Sequence, residues 1–415
     1  MMLTLSVRAG AFLLAAGLIS SPIAIAQQEP GQVYKACTIG DCASGTGTAT
    51  YTRDGELLLT YSGTFSEGLP NGKGKITKHG EYVYEGDVVK GTRQGQGTLT
   101  WQSGQVFTGQ WDNEKRVQGT ETYADGRVYT GAFKDGKRHG QGKLIHTNGN
   151  SYEGVFANGT YHGTGTFRWK SGQVFAGEWV DGARVSGTDT YTDGRVYTGS
   201  FADDKRNGRG KMVHANGNVY EGDWVDGSYE GTGTFTWTDG RVFTGQWSQD
   251  KRTYGTETSP EGRVYTGPYQ DDEEHGEGTV TFPDGNSYQG MFANGMYNGQ
   301  GVFTWASGAT LTGTFVDDQP SYGTQTFSDG RVYTGAYRDN KRNGTGHMSW
   351  ADGASYQGEW LDGQRSGQGT YTWPNGAVLT ARFENDKPVS GTYAKAGEVP
   401  RPVRYDENGT MIYTD

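Results

Sequence analysis

Residues 152–174 read YEGVFANGTYHGTGTFRWKSGQV. Tyr152, Gly154 and Phe156 alternate with other residues in the first half, and Gly163, Gly165, Phe167 and Trp169 do so in the second. Alternation with period two marks a strand, because successive side chains point to opposite faces. Asn158-Gly159 and Ser171-Gly172 punctuate the two halves and supply the left-handed backbone that tight turns need. The unit is therefore a β-hairpin, or two strands of a continuing meander. Its glycines fall on the aromatic face, so Gly154, Gly163 and Gly165 are expected to leave slots in which large rings lie flat over the backbone.

The pattern returns along the chain. An aromatic or leucine followed two places later by glycine, once by alanine, stands at Tyr61, Tyr84, Phe107, Tyr129, Tyr152, Phe175, Tyr197, Tyr220, Phe243, Tyr265, Tyr288, Leu311, Tyr333, Tyr356 and Leu379, at steps of 23, 23 and 22 residues. One unit of this size buries too little apolar surface to fold alone, so neighbours must stack. The expected fold class is all-β: a single elongated domain of about fifteen hairpins forming a twisted ribbon or solenoid. Stacked units spend their sequence on contacting each other and build one long surface rather than one catalytic pocket.

Of 415 residues, 70 are glycine and only 33% are hydrophobic, so the aromatics, at 13%, must carry the core. The formal charge of −10 repels nucleic acid, which is not expected as a partner. Residues 1–26 stand apart. Arg8 precedes an apolar run from Ala9 to Ile19, then Pro22 and the small-x-small site Ala24-Ile25-Ala26. This reads as a cleaved export signal, since a membrane span needs about 20 apolar residues. The mature chain is expected to start at Gln27, in the periplasm or secreted. In that oxidising setting Cys37 and Cys42 are expected to form a disulfide within an N-terminal cap, residues 27–60.

Tyr356-Gln-Gly358-Glu-Trp360-Leu-Asp-Gly363-Gln-Arg-Ser-Gly367-Gln-Gly369 and Tyr220-Glu-Gly222-Asp-Trp224-Val-Asp-Gly227 follow one pattern, YxGxWxxGxxxGxG. It resembles the MORN repeat, over residues 61–393, and leaves 394–415 as a C-terminal tail or cap. The resemblance implies a β-hairpin ribbon serving as a scaffold or dimerising platform, and phospholipid headgroup binding has also been proposed for family members. Where such repeats are fused to kinase or methyltransferase domains they are not the catalytic part. Nucleophile elbows, HExxH and P-loops are absent from the sequence, so neither enzyme activity nor a cofactor is expected.

Identity is strongest at a step of 68 residues. Asp125-Gly126-Arg127-Val128-Tyr129 returns at Asp193, Glu261 and Asp329, and Trp101 returns as Trp169, Trp237, Trp305 and Trp373. The array is thus a set of triads, a three-repeat superperiod. The third repeat of each triad lacks the GxG pair, and its phenylalanine slot holds Glu121, Asp189, Glu257 and Gln325. These fall on the aromatic face, where a lone carboxylate would be costly. Across the turn Arg127, Arg195, Arg263 and Arg331 share that parity, so pairing is expected. Such pairs are either structural or a periodic ligand array for a polymer or repeating partner. A calcium site is disfavoured because no DxDxDG run accompanies the acids, and the seven histidines form no metal cluster.

Lys115-Arg116, Lys137-Arg138, Lys205-Arg206, Lys251-Arg252 and Lys341-Arg342 lie in predicted turns beside acids and read as solvated turn charge ahead of phosphate contacts. The tryptophans Trp101, Trp169, Trp237, Trp305 and Trp373 belong to the aromatic face, as core first and as candidate interaction residues if that face is open. At the ends, Gly45 to Tyr51 forms half a repeat that covers the first strand edge, Pro388, Pro400 and Pro402 break the pattern, and Tyr405 to Tyr413 closes it as a small hairpin. The C-terminal edge is a candidate homodimer contact. The function expected is a non-catalytic scaffold for protein assembly in the cell envelope or outside the cell. The alternative is a binder of envelope lipid headgroups or glycan.

Overall fold

The computed structural model describes residues 30–414, so the export signal lies outside the described residues. Every regular element among them is a strand, and within each unit the strands pair antiparallel with sequence neighbours, the short Glu273–Glu274 strand and Gly276–Thr281 both pairing with Val264–Gln270. Two compact units result, one ending at Asp204 and one starting at Lys205. The first begins with strands Val33–Gly40, Thr46–Arg53 and Glu56–Ser66, and a disulfide ties Cys37 in the first strand to Cys42 in the turn that follows it. Half-repeat residues Ala49 and Tyr51 are buried beside Tyr61, which Ala49 faces across the ladder. The second unit ends in strands Lys387–Ala394, Arg401–Tyr405 and Met411–Tyr413, the last two forming the expected hairpin. Pro388 does not break the pattern. It sits two residues past a turn, beside a bulge, where the ladder is already interrupted.

The register explains the alternation of rings and glycines. Tyr152 faces Leu144 on one neighbour and Phe167 on the other, while Gly154 faces Gly142 and Gly165. The Tyr152 ring lies across the glycine pair, and a Cβ on Gly165 would sit 2.2 Å from its Oη. Gly163 is different. Its φ is +54° and a Cβ there would come no closer than 3.5 Å to Val155, so it serves the backbone bend rather than a ring. The first glycine of each GxG is therefore a left-handed bulge residue and only the second is a slot.

That bulge also explains the period. In the 23-residue unit at Tyr152, Gly154 pairs with Gly165 but Phe156 pairs with Tyr161, which leaves two extra residues on the second strand. In the 22-residue unit at Phe107, Gln110 pairs with Gln118 and Trp111 with Arg116, which leaves one. The third repeat lacks GxG because its smaller bulge needs no left-handed glycine. Between strands, Asn158 and Gly159 both have positive φ, 51° and 94°, the two-residue turn that suits a twisted hairpin.

The anchor tyrosines are fully buried. Tyr129, Tyr152, Tyr265, Tyr288 and Tyr356 each meet an aromatic four residues on and one in the next repeat edge-on, as Tyr152 meets Phe156 at 5.1 Å and Trp179 at 5.5 Å. Each anchor tyrosine also donates its hydroxyl to a backbone carbonyl, Tyr152 to Val155 at 3.0 Å and Tyr84 to Asp87 at 2.8 Å. Burial pushes the phenols of Tyr84, Tyr129, Tyr152, Tyr288, Tyr333 and Tyr356 up to about 12. The folded state thus holds these protons more tightly than the unfolded chain, whose tyrosines titrate near about 10. Their stabilisation is complete below that pH and falls as pH rises toward 12. Circular dichroism and tyrosinate absorbance followed together should show strand structure lost over this window, with the bulk of the tyrosines ionising as it goes. Ionisation of all tyrosines near pH 10 with the strand signal intact would contradict the packing described.

Candidate functional site

Among the described residues, Glu121 and Asp189 are the two buried charged residues, 2% and 1% exposed, and both lie on the aromatic face. Their neighbours are the anchor rings, Phe107 and Tyr129 for Glu121, Phe175 and Tyr197 for Asp189. The carboxylates are paired, but not with the arginines expected. Arg116 Nη1 bonds Glu121, Arg184 Nη1 bonds Asp189 at 3.0 Å, and Arg252 Nη1 bonds Glu257. Arg127, Arg195 and Arg331 instead turn to Asp125, Asp193 and Asp329 in their own exposed turns, at 2.8 Å each. Arg263 has no such aspartate, because Glu261 replaces it, and reaches Glu274 with both terminal nitrogens at 2.6 and 2.7 Å.

The reason is the bulge. Counting by twos from Glu121 puts Arg116 on the opposite face, but the extra residue at Val117 flips the parity and returns Arg116 to the aromatic side, opposite Trp111. Parity does not carry through the turn to Arg127, which has left the ladder.

These arginines are a repeated structural device rather than solvated turn charge. Arg116 stacks over Phe133 at 4.7 Å and also lies over Trp101 and Phe107, while its Nη2 donates to the Gly136 carbonyl of the next turn at 2.7 Å. Arg184 stands over Phe201 at 4.7 Å and Trp169 at 5.8 Å and donates to the Asp204 carbonyl at 2.6 Å. Arg252 lies over Tyr269 at 4.4 Å, Phe243 at 5.5 Å and Trp237 at 5.6 Å, and its Nε reaches Asp272 Oδ1 at 3.1 Å. Arg138 and Arg342 make the same carbonyl bond to Gly159 and Gly363, both at 2.6 Å. Each guanidinium thus ties one hairpin to the turn of the next, through stacking and charge-assisted bonds. The lysines that precede them stay in solvent, where Lys115, Lys205 and Lys251 meet Asp135, Asp226 and Asp271 at 3.2, 3.3 and 2.7 Å.

In the second repeats of the middle three triads, tyrosine takes the arginine's place. Tyr161, Tyr229 and Tyr297 stack flat on Tyr152, Tyr220 and Tyr288 at 3.9, 3.7 and 3.8 Å. His146 Nε2 bonds the Tyr161 hydroxyl at 2.6 Å, so this histidine is a packing residue. The aromatic face is therefore largely closed by its own side chains. Trp111, Trp179 and Trp247 are buried in it, whereas Trp101, Trp169, Trp237, Trp305 and Trp373 lie half-buried at the turns along its margin. The opposite face carries paired polar side chains. Threonine hydroxyls pair across strands at 3.0 Å, Thr98 with Thr108 and Thr120 with Thr130, and Lys75–Glu85, Lys143–Glu153 and Lys211–Glu221 recur at the 68-residue step. No group of three histidine, cysteine or acidic residues able to hold a metal ion occurs among the described residues.

Comparison with known families matches the MORN repeat to residues 61–78, 84–106, 107–126, 129–151, 152–174, 197–219, 220–240, 265–287, 288–310, 333–355 and 356–378. The chain belongs to the MORN repeat family. The anchors left unmatched, Phe175, Phe243, Leu311 and Leu379, all begin the third repeat of a triad, the one with the smaller bulge. These MORN hairpins still pair like the others. No curated protein matches the chain. Among solved structures, it is similar over 60% of its length to the TCP10 domain of Danio rerio CPAP, 97% of which is covered, at 14% identity and a TM-score of 0.26. A virginiamycin B lyase from Staphylococcus aureus is matched over 69% of this chain and 88% of its own, at 11% identity and a TM-score of 0.12. TM-scores this low supply no shared architecture to argue from. The chain is a repeat scaffold of a generally non-catalytic family, and no catalytic domain is matched beside the MORN repeats.

Proposed function

We propose that this MORN protein is a non-catalytic scaffold that assembles protein partners in the cell envelope or outside the cell. The supporting observation is the division of labour between the two faces. The aromatic face is taken up by anchors, arginines and stacked tyrosines, while the polar face repeats the same Thr and Lys–Glu pairs at a fixed step. A partner with an extended or repeating surface gains from many weak, evenly spaced contacts of this kind. Export rests on Arg8, the apolar run and the Ala24-Ile25-Ala26 site. Headgroup binding is disfavoured, because the turn lysines Lys115, Lys205 and Lys251 meet neighbouring aspartates on a chain of charge −10.

The test is co-sedimentation of residues 27–415 with anionic vesicles and with purified cell-wall sacculi, at low and physiological salt, beside crosslinking in native envelopes. The scaffold reading expects the chain to stay in the supernatant in both sedimentations and to crosslink to discrete proteins. Pelleting that is lost with salt would replace it with headgroup binding. Salt-resistant pelleting with sacculi would replace it with glycan binding.

A further inference from the structure

The column that holds Arg116, Arg184 and Arg252 continues, 68 residues on, with Pro320. The acid column Glu121, Asp189, Glu257 continues with Gln325, and Asp272, whose backbone carbonyl and carboxylate hold Arg252, is succeeded by Asn340. The whole charged cluster has been exchanged here while its surroundings remain; in the fifth triad Pro388 recurs, with Tyr393 in the acid column. Trp305 and Tyr337 occupy the places of Trp237 and Tyr269, two of the three rings against which the Arg252 guanidinium lies. Leu311 replaces the larger Phe243. Pro320, facing Phe315, is too short to reach across. What remains is a cleft of about 370 Å³ lined by Trp305, Leu311, Pro320, Gln325, Tyr337 and Asn340 among others.

We propose that this cleft is a receptor for an external guanidinium, the arginine side chain of a protein partner. The template is internal to the chain: three sister positions hold a guanidinium on the corresponding groups. The acceptors persist. Gln325 Oε1, held by the Tyr337 hydroxyl at 3.1 Å, stands in for a Glu257 oxygen. Asn340 has the left-handed φ of Asp272, 59° against 64°, so the turn that carries the accepting carbonyl at Asp272 is kept. Replacement of carboxylate by amide fits a site that is empty part of the time, since a buried carboxylate with no cation would destabilise the free protein. The remaining charge comes from Asp318, exposed at the cleft, whose Oδ1 accepts the Tyr297 N–H at 2.7 Å. Stacking between Trp305 and Tyr337 favours a planar, weakly hydrated cation over an ammonium. This deepens the scaffold reading by giving the chemistry of one contact, and it rests on that reading only for the source of the arginine.

Calorimetric titration of residues 27–415 with N-acetyl-arginine N-methylamide tests the site directly, with the matching lysine derivative and a methyl glucoside as controls. Saturable binding of the arginine derivative is expected, at least about tenfold tighter than lysine. The variant Pro320→Arg/Gln325→Glu refills the site with the chain's own side chains and should keep its strand signal and lose the binding. Gln325→Met, which keeps the volume and removes the acceptor, should weaken it severalfold and covers the case in which the double variant misfolds. Absence of saturation, equal binding of lysine, preference for the sugar, or unchanged binding in the folded variants would each overturn the proposal. None of these results bears on the crosslinking outcome, so the scaffold reading stands or falls separately.

Discussion

Gly165→Ala is expected to lower stability by about 3 kcal/mol or more, at the upper end of core overpacking. The new methyl would lie 2.2 Å from Tyr152 Oη, 2.4 Å from Cζ and 2.6 Å from Cε2. The ring has nowhere to go. Tyr161 lies flat on it at 3.9 Å, Trp179 meets it at 5.5 Å, and its hydroxyl is fixed to the Val155 carbonyl. Relief requires the hairpin to separate from its neighbour, and in a stacked array that removes one nearest-neighbour interface on which both repeats depend. Gly163→Ala is the control. It adds the same methyl to the same strand, but the space is open and only the positive φ resists, at a cost of about 1 kcal/mol. Urea denaturation of both variants, with hydrogen exchange to locate the opening, should separate them clearly. Equal losses would mean that backbone conformation alone, not the ring slot, places glycine at these positions.

The hairpins, the turns and the buried rings were legible because each is a local signal. Alternation, Asn-Gly and the anchor spacing all act within a few residues, and the third repeats were recognisable as different before any pairing was known. What the sequence concealed lies at the bulges. Period-two counting runs safely from Tyr152 to Phe156, but the two extra residues before Gly165 preserve parity while the single extra residue at Val117 reverses it. Glu121 was therefore placed on the correct face, while Arg116 was read as solvated turn charge. Arg127 was then chosen as the partner by counting through a turn, where alternation has no meaning. The comparison at 68 residues contained the missing information. Arg116, Arg184 and Arg252 form one column, the acids form another five residues on, and both columns change together at Pro320 and Gln325. Coordinated change between two columns of one chain is evidence of contact that needs no parity. The half-buried tryptophans at the turns were the least readable, since residues just outside a strand obey neither face.

Arg184→Ala is expected to cost about 3–5 kcal/mol, the range for removing one partner of a buried ion pair. Asp189 is 1% exposed and receives Arg184 Nη1 at 3.0 Å, with Gln173 Nε2 at 2.8 Å on its other oxygen. The amide alone cannot balance the charge. The same substitution also removes the guanidinium from Phe201 and from Asp204, so part of the loss is stacking and turn anchoring. The double variant Arg184→Pro/Asp189→Asn separates these contributions. It deletes the arginine equally but leaves a neutral acceptor on the aromatic face, the solution already used at Pro320 and Gln325, and it should be at least about 1 kcal/mol more stable than the single variant despite carrying two changes. The measurement is the urea midpoint of each, read with the slope so that a change in cooperativity is recognised. If the double variant is no more stable than Arg184→Ala, the buried carboxylate is not what makes the arginine necessary, and the guanidinium acts through its rings and carbonyl alone. If it is more stable, the charge pair is the part of the device that cannot be halved, which accounts for the two columns changing together.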